Sequence, residues 1–361
     1  MGRLDYLPSD GRQNRNCDEN AFDILRYYAV ICVMLGHFTY YWLCYAGETS
    51  ATVSVLNVIP TLFPGVVILF TISGYLVSGS MERSRERKGS FLLKRLGRLY
   101  PELWVCALVT LLSLLILVPQ ALDESMFLWA GTQVMGVAYT PSCLKGYGTG
   151  SVNGALWTVF AELQLYIVLM VGYRWLSKLR AVGWTICIAG ALLINVGCEF
   201  VSNRAGDMVS KLVERSFLPY FVWFVIGCMA WSCRPSVIPV LRRLTIPLIF
   251  VYLILRVMHV SPDGYYVDVI TSFMVPFIVL GLAYLLPPVR LGTDISYGLF
   301  LYHWIVLNVF VELDLIRTLP WPVSLALMAG VSVVLAWLSG HYVGKPASVR
   351  IRTYLKTKNI A

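Results

Sequence analysis

FDILRYYAVICVMLGHFTYYWLC, residues 22–44, is apolar over nearly its whole length and holds three ionisable groups, Asp23, Arg26 and His37. A helix needs roughly 20 apolar residues to cross the roughly 30 Å of a bilayer's hydrocarbon core. This stretch meets that need, and it is too long for the h-region of a cleavable signal peptide. Similar runs recur near 55–78, 99–119, 155–175, 181–200, 217–233, 244–260, 267–287, 295–315 and 322–343. The expected fold is all-α, a polytopic membrane protein of about ten transmembrane helices. Helices satisfy their own backbone hydrogen bonds in lipid, and no barrel-like alternation competes with them.

The composition agrees. Of 361 residues, 58% are hydrophobic and 14% charged, and the mean hydropathy is +0.69. A soluble domain carries about 25% charged residues, so an ordinary cytosolic enzyme, a disordered chain and a disulfide scaffold are excluded. The net charge of +9 sorts by topology. With both termini in the cytoplasm, twenty-two Lys and Arg fall in cytoplasmic segments, seven of them between Arg83 and Arg98, against five outside. That is a positive-inside pattern, and it replaces a nucleic-acid reading of the charge. A crossing by 126–141 would destroy the bias, so that stretch is expected to be re-entrant or interfacial. The organisation is a cytoplasmic tail (1–21), one transmembrane domain (22–343) and a basic cytoplasmic tail (344–361). Nine scattered cysteines show no CxxC spacing and read as packing residues. No metal-binding cluster, Walker loop or dinucleotide fingerprint occurs.

Ionisable groups within spans are costly and are candidates for function. Eleven residues separate Arg26 from His37. At about 100° and 1.5 Å per residue they share one face, about 16 Å apart, with Arg26 near the cytoplasmic mouth. Glu162, about 10 Å below the outer surface in the fourth span, is expected at the depth of His37. A carboxylate there would orient the imidazole of a general base. On the cytoplasmic side, Arg95 and Arg98 share a helix face and suit a phosphate, at the close of a basic loop. Ser73-Gly74 lies in the second span; Ser296, Tyr297 and His303 lie in the ninth. His259 and His341 sit near span ends and read as structural, and Arg256 reads as snorkelling.

These residues resemble the integral membrane acyltransferase 3 family. Arg26 and His37 resemble its R-x10-H signature. Phe70-Thr71-Ile72-Ser73-Gly74-Tyr75-Leu76 resembles its F-x-x-S-G-[FY]-L segment. Arg95-x-x-Arg98-x-Tyr100-Pro101 resembles its R-x-x-R-[IL]-Y-P loop. Leu156-Trp157-Thr158 with Glu162 and Tyr166 resembles its L-W-[ST]-L-x-x-E-x-x-[FY] helix, and Ser296-Tyr297 to Tyr302-His303 its S-Y-x-x-Y-x-x-H helix. The closing helix departs: Gly344-Lys345-Pro346 stands where the family has E-[KR]-P.

The resemblance implies O-acylation of a sugar hydroxyl, free or on a lipid carrier, in a surface polysaccharide such as O-antigen or exopolysaccharide. The donor would be a cytoplasmic acyl-CoA, acetyl-CoA foremost, acting as co-substrate with no permanently bound cofactor. The enzyme would sit in a bacterial inner membrane. His37 would be the general base and Glu162 its partner. Asp23, Arg26, Ser73, Arg95, Arg98, Tyr297 and His303 would bind donor or substrate, and no metal is expected. A covalent acyl-His37 variant stays open. So do a transporter or flippase, which would show an inverted repeat that the sequence lacks, and a sensor or lipid-binding scaffold.

Overall fold

Long apolar runs without polar interruption favour helix wherever lipid is the solvent. The computed structural model describes residues 20–46, 51–84, 87–289 and 294–358. The expected tail 1–21 lies almost wholly outside them. Helix α1 is Phe22–Ala46. The second run is split into α2 (Ala51–Leu62) and α3 (Gly65–Arg83) by Pro64, whose extended backbone starts α3. A residue before proline is driven out of the helical region.

Helix α4 (Lys88–Leu117) has 30 residues, about 45 Å at 1.5 Å per residue. It begins well before the expected span at 99. Arg95 and Arg98 therefore lie on one helix, as their spacing suggests, and that helix begins within the basic segment. Helix α5 (Ser125–Met135) has 11 residues, too few to cross, and ends at Gly136 with φ +76°. Trp104 and Tyr100 of α4 donate from their ring N–H and O–H to the carbonyls of Val134 and Met135, at 3.1 and 3.3 Å. Thus α5 runs back alongside α4, and residues 137–155 return without a long helix. This excursion covers the stretch 126–141 that was expected to be re-entrant or interfacial.

The remaining helices are α6 (Leu156–Leu176), α7 (Ala181–Ser202), α8 (Asp207–Arg215), α9 (Phe221–Ser232), α10 (Arg234–Val257), α11 (Val269–Leu285), α12 (Ser296–Glu312), α13 (Leu315–Thr318), α14 (Trp321–Ser339) and α15 (Lys345–Thr357). A π-turn, Gly340–Gly344, joins the last two, so the helix runs on past the expected boundary at 343. No strand occurs among the described residues.

Each of the ten predicted runs meets a helix. Among the described residues seven spans are by length and composition able to cross a membrane, and eight if α8 and the helix Leu218–Ser232 that contains α9, bent by 49° to each other, count as one. Helices α11 and α12 have 17 residues each. Exposed apolar side chains such as Phe127 (84%) and Val182 (72%) line the outside, as expected of lipid-facing surface.

A tight crossing joins α3 to α9. A Cβ on Gly74 would overlap the Phe224 carbonyl oxygen, and one on Gly227 the Thr71 carbonyl oxygen. Small residues thus let the two backbones touch, and they hold Ser73, next to Gly74, at one depth.

Candidate functional site

The lowest turn of α1 begins the site. Arg26 reaches Asp23 one turn earlier (2.9 Å) and Asp294, the second residue before α12. Arg98 of α4 reaches the same Asp294 oxygen at 3.1 Å. The other Asp294 oxygen accepts from the Ser296 amide (3.1 Å) and hydroxyl (2.5 Å). Burial raises the Asp294 pKa, but Arg26, Arg98 and Ser296 together outweigh it and hold the carboxyl below its ordinary value. Asp294 is a charged bridge between two arginines that lie 72 residues apart in the chain, and sequence reasoning missed it. Its signal was adjacency to Ser296-Tyr297.

Above this bridge opens a cavity of about 840 Å³, its mouth included. Six of the nine candidate site residues line it: Arg26, Ser73, Arg95, Arg98, Glu162 and Tyr297. The Ser73 hydroxyl donates to Glu162 Oε1 at 2.7 Å, and the Tyr166 hydroxyl donates to the same oxygen. The Arg95 guanidinium lies over the rings of Tyr166 (5.8 Å) and Phe91 (5.9 Å). Its Nε and the Tyr297 hydroxyl are buried without a hydrogen-bond partner among the described residues. The cavity is thus walled by apolar side chains with a few converging polar groups, the usual build of a small-molecule site.

His37 is not among the cavity-lining residues, and its partner is not Glu162. Its Nδ1 lies 3.0 Å from Nε2 of the fully buried His303. His303 Nδ1 is 3.2 Å from the Leu299 carbonyl. A carbonyl only accepts, so His303 Nδ1 carries its proton and His303 Nε2 is an acceptor. His37 Nδ1–H then donates to it, and His37 Nε2 keeps a free lone pair. The Trp304 ring closes on His37 at 4.6 Å.

The expected His37–Glu162 pair fails for a geometric reason. The return segment 137–155 dips into the bundle, so α6 starts level with Trp304: a Cβ on Gly154 would overlap the Trp304 ring. Glu162, eight residues into the fold from there, lies about 12 Å deeper, beside Ser73.

Three further positions complete the picture. Glu102, next to Pro101, is buried, with Oε2 unpartnered. It fills the space over Gly344, where a Cβ would overlap its Oε1. A carboxylate therefore occupies that corner although residue 344 has no side chain. Arg256 pairs with Asp268 at 2.7 Å and does not merely snorkel. On the far side, Asn308 donates to the Ser151 and Val152 carbonyls (2.9 Å each) and Glu312 accepts from the Gly148 amide (2.9 Å), strapping the return segment to α12. Among the described residues no three His, Cys, Asp or Glu converge as metal ligands do.

The profile of the acyltransferase 3 family, described as "Acyltransferase domain", matches residues 19–341. The chain is 26% identical to Nodulation protein 10 of Rhizobium leguminosarum bv. viciae, over 95% of this chain and 96% of that protein. No solved structure matches it.

Proposed function

Because the chain belongs to the acyltransferase 3 family, and is thus a multi-pass membrane acyltransferase, we propose that it moves an acyl group, acetyl foremost, from cytoplasmic acyl-CoA to a sugar hydroxyl. The acceptor is a surface polysaccharide such as O-antigen or exopolysaccharide, or its lipid-linked precursor, and the enzyme works in a bacterial inner membrane. In this reading the basic end of the bundle, with both termini, faces the cytoplasm.

The observation that carries the reading is the cavity, which gathers three arginines at a mouth on the basic end. Arg26 and Arg98 take the donor's phosphates by charge-assisted bonds. Arg95, one turn nearer the basic end of α4 than Arg98 and without an ion pair among the described residues, adds a third donor for the phosphates or the start of the pantetheine arm. Ser73 and Tyr297 offer hydroxyls along the way. Glu162, held by Ser73 and Tyr166, shapes the donor cavity and does not serve His37. The arm covers the roughly 16 Å of α1 between Arg26 and His37. It passes Phe300, which lines the cavity and stands 5.9 Å from the His303 ring.

There His37 Nε2 takes the acceptor's hydroxyl proton as the oxygen attacks the thioester carbon. His303 keeps the imidazole in the right tautomer. The C–O bond forms, the C–S bond breaks, and the leaving thiolate takes the proton from His37, giving ester and free CoA.

The test is transfer of labelled acetyl from acetyl-CoA by the purified protein, with polysaccharide from a gene-deleted strain as acceptor. The wild type is expected to label it and His37→Ala to lose the activity while staying folded. Equal turnover by folded His37→Ala would overturn the mechanism; no transfer by the wild type would overturn the donor and acceptor assignment.

A further inference from the structure

The anion site at the cavity mouth is already filled, by the protein's own carboxylate. One Asp294 oxygen bridges Arg26 and Arg98, and the other takes the amide and hydroxyl of Ser296 at the start of α12. Two guanidinium groups and a helix N-terminus are the setting in which a phosphate is bound. The adjoining cavity holds the Nε of Arg95 and of Arg26, both buried and with no hydrogen-bond partner among the described residues. The cluster therefore has donors left over, and the ligand they would hold carries more acceptors than one carboxylate.

We propose that Asp294 is an internal stand-in for a phosphate: it holds Arg26 and Arg98 in place while the site is empty and yields them when a phosphate of the donor enters. This rests on the donor reading above for the identity of the ligand, though not for its chemistry. A phosphate with two charges and three free oxygens outcompetes one carboxylate for two guanidinium groups. The exchange is cheapest at the Arg98 pair, which is partly open, while the Arg26 side chain is only 16% exposed. The Asp294 and Arg98 side chains are 36% and 42% exposed, and partly exposed ion pairs are weak. The freed Asp294 side chain keeps Ser296 as a partner, so it is not left bare. The arginines thus stay ordered and their mutual repulsion is screened before the ligand arrives, at a small cost in affinity.

A residue that merely holds the arginines in position and a residue that competes with the ligand predict opposite signs. Asp294→Asn keeps an acceptor for the Ser296 amide and removes the charge; Asp294→Ser does the same with a hydroxyl. Binding of pyrophosphate and of CoA to the full-length purified protein is measured by calorimetry, with thermal unfolding confirming that each variant folds. Both ligands are expected to bind about tenfold tighter to either variant, the gain of one uncontested charge-assisted contact. S-acetyl-pantetheine, which lacks the phosphates, should gain nothing.

Weaker or unchanged pyrophosphate binding in the folded variants overturns the proposal, as does an equal gain for S-acetyl-pantetheine. If pyrophosphate gains while CoA binds neither wild type nor variant, Asp294 is still the stand-in and the donor reading falls. Lipid phosphate is a second source of the same chemistry. Nanodiscs of phosphatidylglycerol against phosphatidylcholine distinguish it: a pyrophosphate gain confined to phosphatidylcholine supports the stand-in role with the headgroup as the natural occupant.

Discussion

At the mouth of the cavity, Arg26, Arg98 and Asp294 meet as charges in partial contact with solvent. About 16 Å further along α1, His37 meets a fully buried His303, with no carboxylate of the described residues in hydrogen-bond contact. The difference follows from what each place has to do. An anionic ligand must arrive from water, so its arginines stay reachable and are balanced by carboxylates. A base must hold one lone pair in one direction in a dry place. There a second ionised group would be costly to bury. A neutral imidazole tied to the Leu299 carbonyl orients His37 without that cost. Binding and proton transfer are thus assigned to opposite ends of one helix, and they should fail separately.

His37→Ala gives the largest effect: acyl transfer should fall by about 10²–10⁴, the range of a lost general base, with the dissociation constant for CoA unchanged. A parallel loss of CoA binding would mean the two ends are one site, and the comparison would break. His303→Ala should come next. It frees His37 Nδ1 and the ring's rotation, lowering kcat by about 10–100-fold at constant KM for the donor, within the span of general-base effects. His303→Gln offers a carbonyl to His37 Nδ1–H and should recover part of the loss. If Gln is no better than Ala, the partner's hydrogen bond is not what matters. Arg98→Ala should act in reverse, raising the donor KM by about tenfold for one lost charge-assisted bond and leaving kcat nearly alone. A fall in kcat with constant KM would place Arg98 in the chemistry.

Much of this was legible in the sequence because lipid makes composition speak. Apolar length alone located every main helix, and the buried charges in them marked Arg26, His37 and Glu162. What the sequence hid was relative depth and partnership. Depth was misjudged for Glu162 because the chain dips into the bundle after Gly136 and α6 starts low. The start of α4 was set at 99 instead of Lys88 because basic residues do not show where a helix begins. The His37–His303 contact joins residues 266 positions apart, and periodicity carries no information about such pairs. Asp294 escaped notice because it lies outside a span, where an acidic residue is unremarkable in composition.

The smallest effect tests the wall behind Arg98, where Glu102 sits one turn further along α4. Its carboxylate is enclosed by packing and has an unpartnered Oε2, with Gly344 leaving it room. The His pair, in contrast, is bonded on both sides. A group so closely enclosed should couple sterically to its neighbour. Gly344→Ala puts a methyl onto Glu102 Oε1 and, as overpacking, should destabilise the protein by about 1–3 kcal/mol. In a Glu102→Ala background the same methyl enters vacated space and should cost almost nothing. The coupling from thermal unfolding of the four proteins should therefore be about 1 kcal/mol or more, as for residues in contact. Additive costs would mean that the carboxylate swings aside freely. The corner at 344 would then be as soft as the mouth of the cavity, and only the histidine end of the site would be built rigidly.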